Sequence, residues 1–356
     1  MGSFIGHVLP GIAFYVFGLW HLFNNTKLHF QNKASFTTSA WFPTSRLRYL
    51  ELILIIIGSS ISVSMELFIG PRKHQPFDAD GTIPSNHLRN FEHSSISMYF
   101  ATYGILAILL DKSVQGSTLG DNNIANRMNS HLHDHVQGLT LLAASMCFGL
   151  ELFSFHFHST DHMGVEGQYH LLLQIVVVVS FATTLISVGL PGSFLVSYVR
   201  SVSIMCQGGW FIVMGYMLWT PELVPKGCMI HREDGHEIVR CSGEESLERA
   251  KSLVNIFFSW FLIGFTIGAI LFYVGMVNCY SPKYYNNEIT TGASAAYCCL
   301  PTKQEGCDEF EGEPLEHHIE LQKKTRFVVG VACEGGNGVS NSKPMDDPKM
   351  EAIYAE

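Results

Sequence analysis

Glu66, His93, Glu151, His156, His158 and His170 hold most of the chemical capacity of this chain, with His7 and His162 beside them. Imidazole nitrogens and carboxylates are ligands for zinc, and three of them around one open position describe a catalytic site. A zinc-bound water there attacks an ester or amide bond, with a carboxylate as general base. Glu66 and Glu151 are the candidate bases. The candidate metal ligands are His7, His93, Glu151, His156, His158 and His170, and zinc is the implied cofactor. The stretch ELFSFHFHSTDHMGVEGQYH, from Glu151 to His170, is the densest part, with four histidines, three acids and no cation.

Spacing restricts what that stretch can do. Glu151 and His158 are two turns apart on one helix face, roughly 10 Å along an unbroken axis. They share a metal only if the helix ends before His158 and the chain folds back, a turn that Gly164 and Gly167 permit. His156 and His158 point oppositely on a helix but to one side of an extended segment. A plainer reading competes: rings of this kind are tolerated at a membrane boundary, and acids there pair with Lys, Arg or His.

The elements that carry these residues are apolar blocks. Of 356 residues, 47% are hydrophobic and only 15% charged, well below the roughly 25% charge of soluble domains. The charges fall between seven blocks, near residues 5–23, 49–69, 95–110, 136–155, 170–190, 201–219 and 252–276. Such blocks predict an all-α fold, a seven-helix transmembrane bundle over residues 1–277. The alternation that a membrane β-barrel needs is missing from these runs. The first block has no basic n-region before it and no small-residue cleavage site, so it reads as an anchor that is retained. From residue 278 to 356 the composition turns acidic and loses apolar periodicity, which predicts a disordered tail open to binding proteins. No basic patch points to nucleic acid.

Seven spans put the termini on opposite sides. Lys and Arg divide evenly between the two, but the first block has an uncharged N-terminal flank and is followed by Lys27 and Lys33. That places the N-terminus outside and the tail in the cytosol. His7, Glu66, His93, Glu151 and His170 then share the outer face. The membrane is the plasma membrane or an endomembrane. Cys228 and Cys241 bracket MIHREDGHEIVR, where Asp234-Gly235 signals a hairpin turn. Cysteines at a hairpin base come within bridging distance, so a disulfide is predicted.

Other polar residues have simpler expectations. His131 and His135 in HLHDH are one turn apart and read as an exposed helix start. Glu51 follows Arg46 and Arg48 and reads as an interfacial ion pair. Gln207, in QGGWF, is expected to hydrogen-bond to a neighbouring helix, with Gly208 and Gly209 allowing close approach.

The opening MGSFIGHVLPGIAFYVFGLW and the segment RSVSIMCQGGWFIVMGYMLWTP from Arg200 resemble the transmembrane protein 45 family, whose plant members are described as viral-response-like. Glu51, Glu66, the EHSSISMYF stretch, Glu151, His158 and His170 match that pattern in order. The resemblance spans residues 1–276, and His156 and His162 go beyond it. It implies a seven-helix multi-pass membrane protein and supplies no reaction.

Three functions follow from these residues. One is a zinc-dependent hydrolase of a lipid-like ester or amide at the outer face. Another is a proton or metal-ion transporter or channel, in which ionisable groups capture and release the cargo. The third is a non-catalytic scaffold among membrane lipids. The mid-membrane regions read as mostly apolar apart from Gln207 and Asn255, which favours a one-sided site over a pathway.

Overall fold

Each apolar block folds as a helix, and polar residues at its ends lengthen it. The computed structural model describes residues 4–31, 35–69, 75–115, 123–157, 164–233 and 236–280. The helices are α1 (Phe4–Gln31), α2 (Leu50–Ser64), α3 (Leu88–Gln115), α4 (Asn123–Phe157), α5 (Gly164–Gly189), α6 (Phe194–Trp219) and α7 (Glu244–Tyr280). Among the described residues seven helices are long and apolar enough to cross a membrane, α2 together with the π-turn Met65–Ile69 that extends it. The expected boundary at residue 277 falls inside α7, which runs on to Tyr280. The predicted tail beyond it lies outside the described residues.

The run Ile175–Val179 is β-branched throughout, yet it is helical. Helix propensity differs by well under about 1 kcal/mol among such residues, whereas an unsatisfied backbone group in hydrocarbon costs far more. In a segment long and apolar enough to span a membrane, the second effect outweighs the first. The α5–α6 link is a tight turn at Leu190–Ser193. Its Leu190 N–H donates to Ile186 O, and Ser193 Oγ caps α6 by accepting from Val196 N.

Helix α1 packs chiefly on α6, and glycines set how closely. A Cβ built on Gly208 would overlap Tyr15 N and stand 2.5 Å from Gly11 O, and one on Gly18 would overlap Met205 N. Gly11 and Gly18 on α1 are two turns apart, as are Gly208 and Gly215 on α6, so each pair lies along one face. Two buried clusters flank this crossing. One joins α5, α6 and the first half of α7 around Trp210, whose Nε1–H donates to Tyr169 O. The other joins α2, α3 and α4 to Ala40 and Trp41 of the α1–α2 connection.

The segment between α6 and α7 is the expected hairpin. Strands β1 (Cys228–Glu233) and β2 (His236–Cys241) pair antiparallel, with Cys228 opposite Cys241 and joined to it as a disulfide. Asp234 and Gly235 lie outside the described residues. Val239 of β2 is buried in the α5–α7 cluster, which docks the hairpin on the bundle. For a loop of about 15 residues a disulfide stabilises by roughly 3 kcal/mol, through the unfolded chain. Because the hairpin is only one edge of the bundle, Cys228→Ser with Cys241→Ser should release the hairpin and leave the helices folded. Protease cleavage confined to residues 228–241, with unchanged helical circular dichroism, is the expected result.

Candidate functional site

Two ends of the bundle hold the ionisable residues, named here the His7 end and the Glu51 end. At the His7 end the π-turn at Met65–Ile69 brings Glu66 inward, so that its side chain is buried. Asn90 Nδ2 of α3 donates to Glu66 Oε2 (3.0 Å) and to its backbone O (3.1 Å). His93, one turn further on α3, places Nδ1 3.7 Å from Glu66 Oε1. A second contact joins α1 and α5: the rings of His7 and His170, both buried, lie 5.6 Å apart edge to face. His7 also packs on Trp219, and His170 Nδ1 is 3.0 Å from the backbone O of Glu166.

The predicted ligands thus meet as pairs. Among the described residues no three His, Cys, Asp or Glu side chains come together as a group able to hold a metal ion. His156 is exposed, and lines a shallow groove between α4 and α5 with Phe153, Leu171 and Ile175, whereas Glu151 faces the interior. His158 and His162 lie outside the described residues. The zinc set therefore finds no assembled counterpart among the described residues. Glu66 is arranged as a hydrogen-bonded partner of Asn90 and His93.

Glu151 sits deeper than a boundary residue. It lies nearly two turns before the end of α4 and is 1% exposed. Gln207 Nε2, from the middle of α6 and itself fully buried, donates to Glu151 Oε1 at 2.7 Å. The expected cross-helix bond of Gln207 therefore exists, and its partner is an acid. Glu151 Oε2 and Gln207 Oε1 have no hydrogen-bond partner among the described residues. Above and below this pair α5 and α6 bury more polar side chains, including Ser180, Ser203, Gln174 and Thr184. Ser180 Oγ donates to Ser203 Oγ across the helices at 3.0 Å. Beyond Gln207, the polar groups buried along α5 and α6 thus include small hydroxyls, which also donate to carbonyls of their own helices.

The Glu51 end holds the most elaborate polar network, and the sequence gives little hint of it. Glu51 is buried at the start of α2. It accepts from Trp20 Nε1 (3.1 Å) and from the backbone N–H of Phe42 (2.9 Å), and lies 2.6 Å from His21 Nε2. It does not pair with Arg46 or Arg48. Arg48 instead makes a bidentate pair with Asp111 of α3, at 3.0 Å for each bond, and the Tyr49 hydroxyl joins them. The hydrogen bond to Asp111 holds the Arg48 guanidinium above its usual range. The α1–α2 connection is itself buried: Phe36, Thr38, Ala40, Trp41 and Phe42 are all shielded from solvent. Ala40 O accepts from Tyr103 and Ser39 O from Arg200, a buried cation of α6. Polar residues such as His21 and Arg200 inside or beside apolar runs were the available signal for this network. His131, His133 and His135 are exposed, as expected, but α4 begins eight residues before them, at Asn123.

Residues 137–274, from α4 to α7, match the model of a protein family of unknown function (DUF716). Glu151, His170, Arg200 and Gln207 fall within the match, whereas His7, Glu51, Glu66 and His93 precede it. The match brings no activity with it.

Proposed function

We propose that this chain is a multi-pass integral membrane protein, similar to the transmembrane protein 45 family, that moves protons through its bundle with Glu151 as the carrier group. It acts as a proton transporter or channel of the plasma membrane or an endomembrane. The observation that carries this reading is Glu151 itself: a carboxyl 1% exposed, with one oxygen held by Gln207 and the other without a partner among the described residues. Intramembrane acids are costly to keep, and in spanning bundles they mark ion and proton routes. A neutral amide suits such a group. Gln207 Nε2 donates to Oε1 whether or not Oε2 carries a proton, so binding and release need no rearrangement of that bond.

The surroundings favour a membrane bundle. Ile12, Leu19, Ile57, Ile61, Leu109, Ile263 and Ile267 are exposed on the helix faces, a spread of apolar surface that suits lipid tails and not water. Membrane lipids are therefore its surrounding partners.

Reconstitution tests the reading. The full chain in liposomes with an internal pH-sensitive dye and an imposed potassium-diffusion potential should acidify or alkalinise the lumen faster than empty vesicles. Glu151→Gln keeps the shape and a hydrogen bond to Gln207 but cannot exchange a proton, so its flux should drop to the empty-vesicle level. Equal flux in wild type and Glu151→Gln, or none in wild type, would overturn the proposal.

A further inference from the structure

Four side-chain atoms at the Glu51 end are sealed from solvent and have no hydrogen-bond partner among the described residues: His21 Nδ1, Asn25 Oδ1, Thr38 Oγ1 and Arg200 Nε. Arg200 is 2% exposed and the other three residues are also buried. Hydrogen bonds of their chain neighbours and helix spacing bring them to one end of the bundle. Asn25 Nδ2 donates to Ser201 Oγ, the neighbour of Arg200, at 3.1 Å. Arg200 Nη2 donates to Ser39 O at 2.6 Å, and the adjacent Thr38 N donates to Pro191 O at 2.7 Å. His21 and Asn25 are one turn apart on α1 and so share a face. His21 also packs its ring on Phe42, at 5.1 Å.

Leaving such an atom unsatisfied costs free energy, so each of the four calls for a partner. The chemistry of the four selects what satisfies them. Arg200 Nε is only a donor and Asn25 Oδ1 only an acceptor, while Thr38 Oγ1 can serve as either. A metal cation would meet the Arg200 guanidinium. An anion would meet Asn25 Oδ1 and the Glu51 carboxylate, which lies 2.6 Å from His21 Nε2. Water both donates and accepts, and buried water with about three protein partners is the usual answer to such a set.

We infer that the Glu51 end of the bundle binds a cluster of ordered internal waters, held by His21, Asn25, Thr38 and Arg200 and covered by the buried connection Phe36–Phe42. Arg200, Ser203 and Gln207 recur along one side of α6, and Gln207 reaches Glu151 of α4 by its hydrogen bond. The cluster therefore marks the side from which water reaches Glu151. This last step rests on the reading of Glu151 as a proton carrier; the cluster itself does not.

Radiolytic hydroxyl labelling of the full chain in nanodiscs tests the cluster, because radicals form from trapped water and mark the side chains beside it. Tyr103, whose hydroxyl donates to Ala40 O within the network, is 7% exposed, and Tyr169, in the α5–α7 apolar cluster, is 2% exposed. With residue type matched and both buried, Tyr103 should be labelled at least severalfold faster than Tyr169, and in oxygen-18 water the label should carry the heavy isotope. Phe42 should follow Tyr103. Equal, slow labelling of Tyr103 and Tyr169 would overturn the inference. The measurement needs no flux, so labelled Tyr103 with inactive vesicles would sink the transport reading alone. Active vesicles with unlabelled Tyr103 would sink the water cluster alone.

Discussion

Gly208→Ala is expected to abolish the folded bundle, while Gly264→Ala leaves it at least as stable as before. At Gly208 the added methyl meets backbone, namely Tyr15 N, Gly11 O and Phe14 C, and at Gly264 it meets nothing within 4 Å. A flexible side chain could turn aside; two helix backbones cannot. Overpacking costs about 1–3 kcal/mol where neighbours can relax, and more where they cannot. In the opposite direction, alanine is favoured over glycine in a helix by up to about 1 kcal/mol, which is all that Gly264→Ala feels. Gly18→Ala should behave as Gly208→Ala does, since its methyl would overlap Met205 N on the facing helix. Thermal unfolding in detergent, read by size-exclusion profile, separates the two classes. If Gly208→Ala and Gly264→Ala melted together, α1 and α6 would not be in backbone contact, and the arrangement of His7 against Trp219 and Asn25 against Ser201 would fall with it.

That crossing was partly legible in the sequence, because QGGWF combines a polar residue with two small ones. The number of helices was legible for a related reason. A spanning segment satisfies its backbone internally, so its apolar block stands out against charged ends. Depth was harder to read. Glu151 precedes three histidines within eleven residues, and that polarity draws the apparent boundary toward it, whereas α4 continues for nearly two turns and carries the acid inward to Gln207. Pairing between helices was legible only at Gln207, and there without its partner. Arg46 and Arg48 are the nearest cations to Glu51 in sequence, but helix rotation gives Arg48 to Asp111 on α3 and turns Glu51 to α1. The segment FTTSAWF has no helical or strand period, and so nothing in it separates a loop in water from one inserted between helices.

Glu51→Ala is the second substitution expected to have a large effect, and it discriminates between two accounts of the Glu51 end. If Glu51 were an interfacial acid paired with arginine, its removal would match the loss of an exposed pair, about 0–1 kcal/mol. In the structure its two oxygens instead serve Trp20 Nε1, the Phe42 backbone N–H and His21. Truncation leaves those donors buried without acceptors, and breaking a buried ionic arrangement by removing one member costs about 3–5 kcal/mol. Glu51 is the acceptor that holds the Phe42 N–H inside the bundle, so without it the connection Phe36–Phe42 should come out toward water. Chymotrypsin should then cut after Phe36 and Trp41 in Glu51→Ala and spare both in the wild type. Glu51→Gln keeps one acceptor oxygen and should lie between them. Arg48→Ala is the control: its side chain is half exposed, and Asp111 retains Tyr49 and Gln115 as donors. It should therefore protect the loop as the wild type does. Equal exposure of the loop in Arg48→Ala and Glu51→Ala would return Glu51 to the interfacial pair that its sequence neighbours suggest. It would also remove the cover from the proposed water cluster.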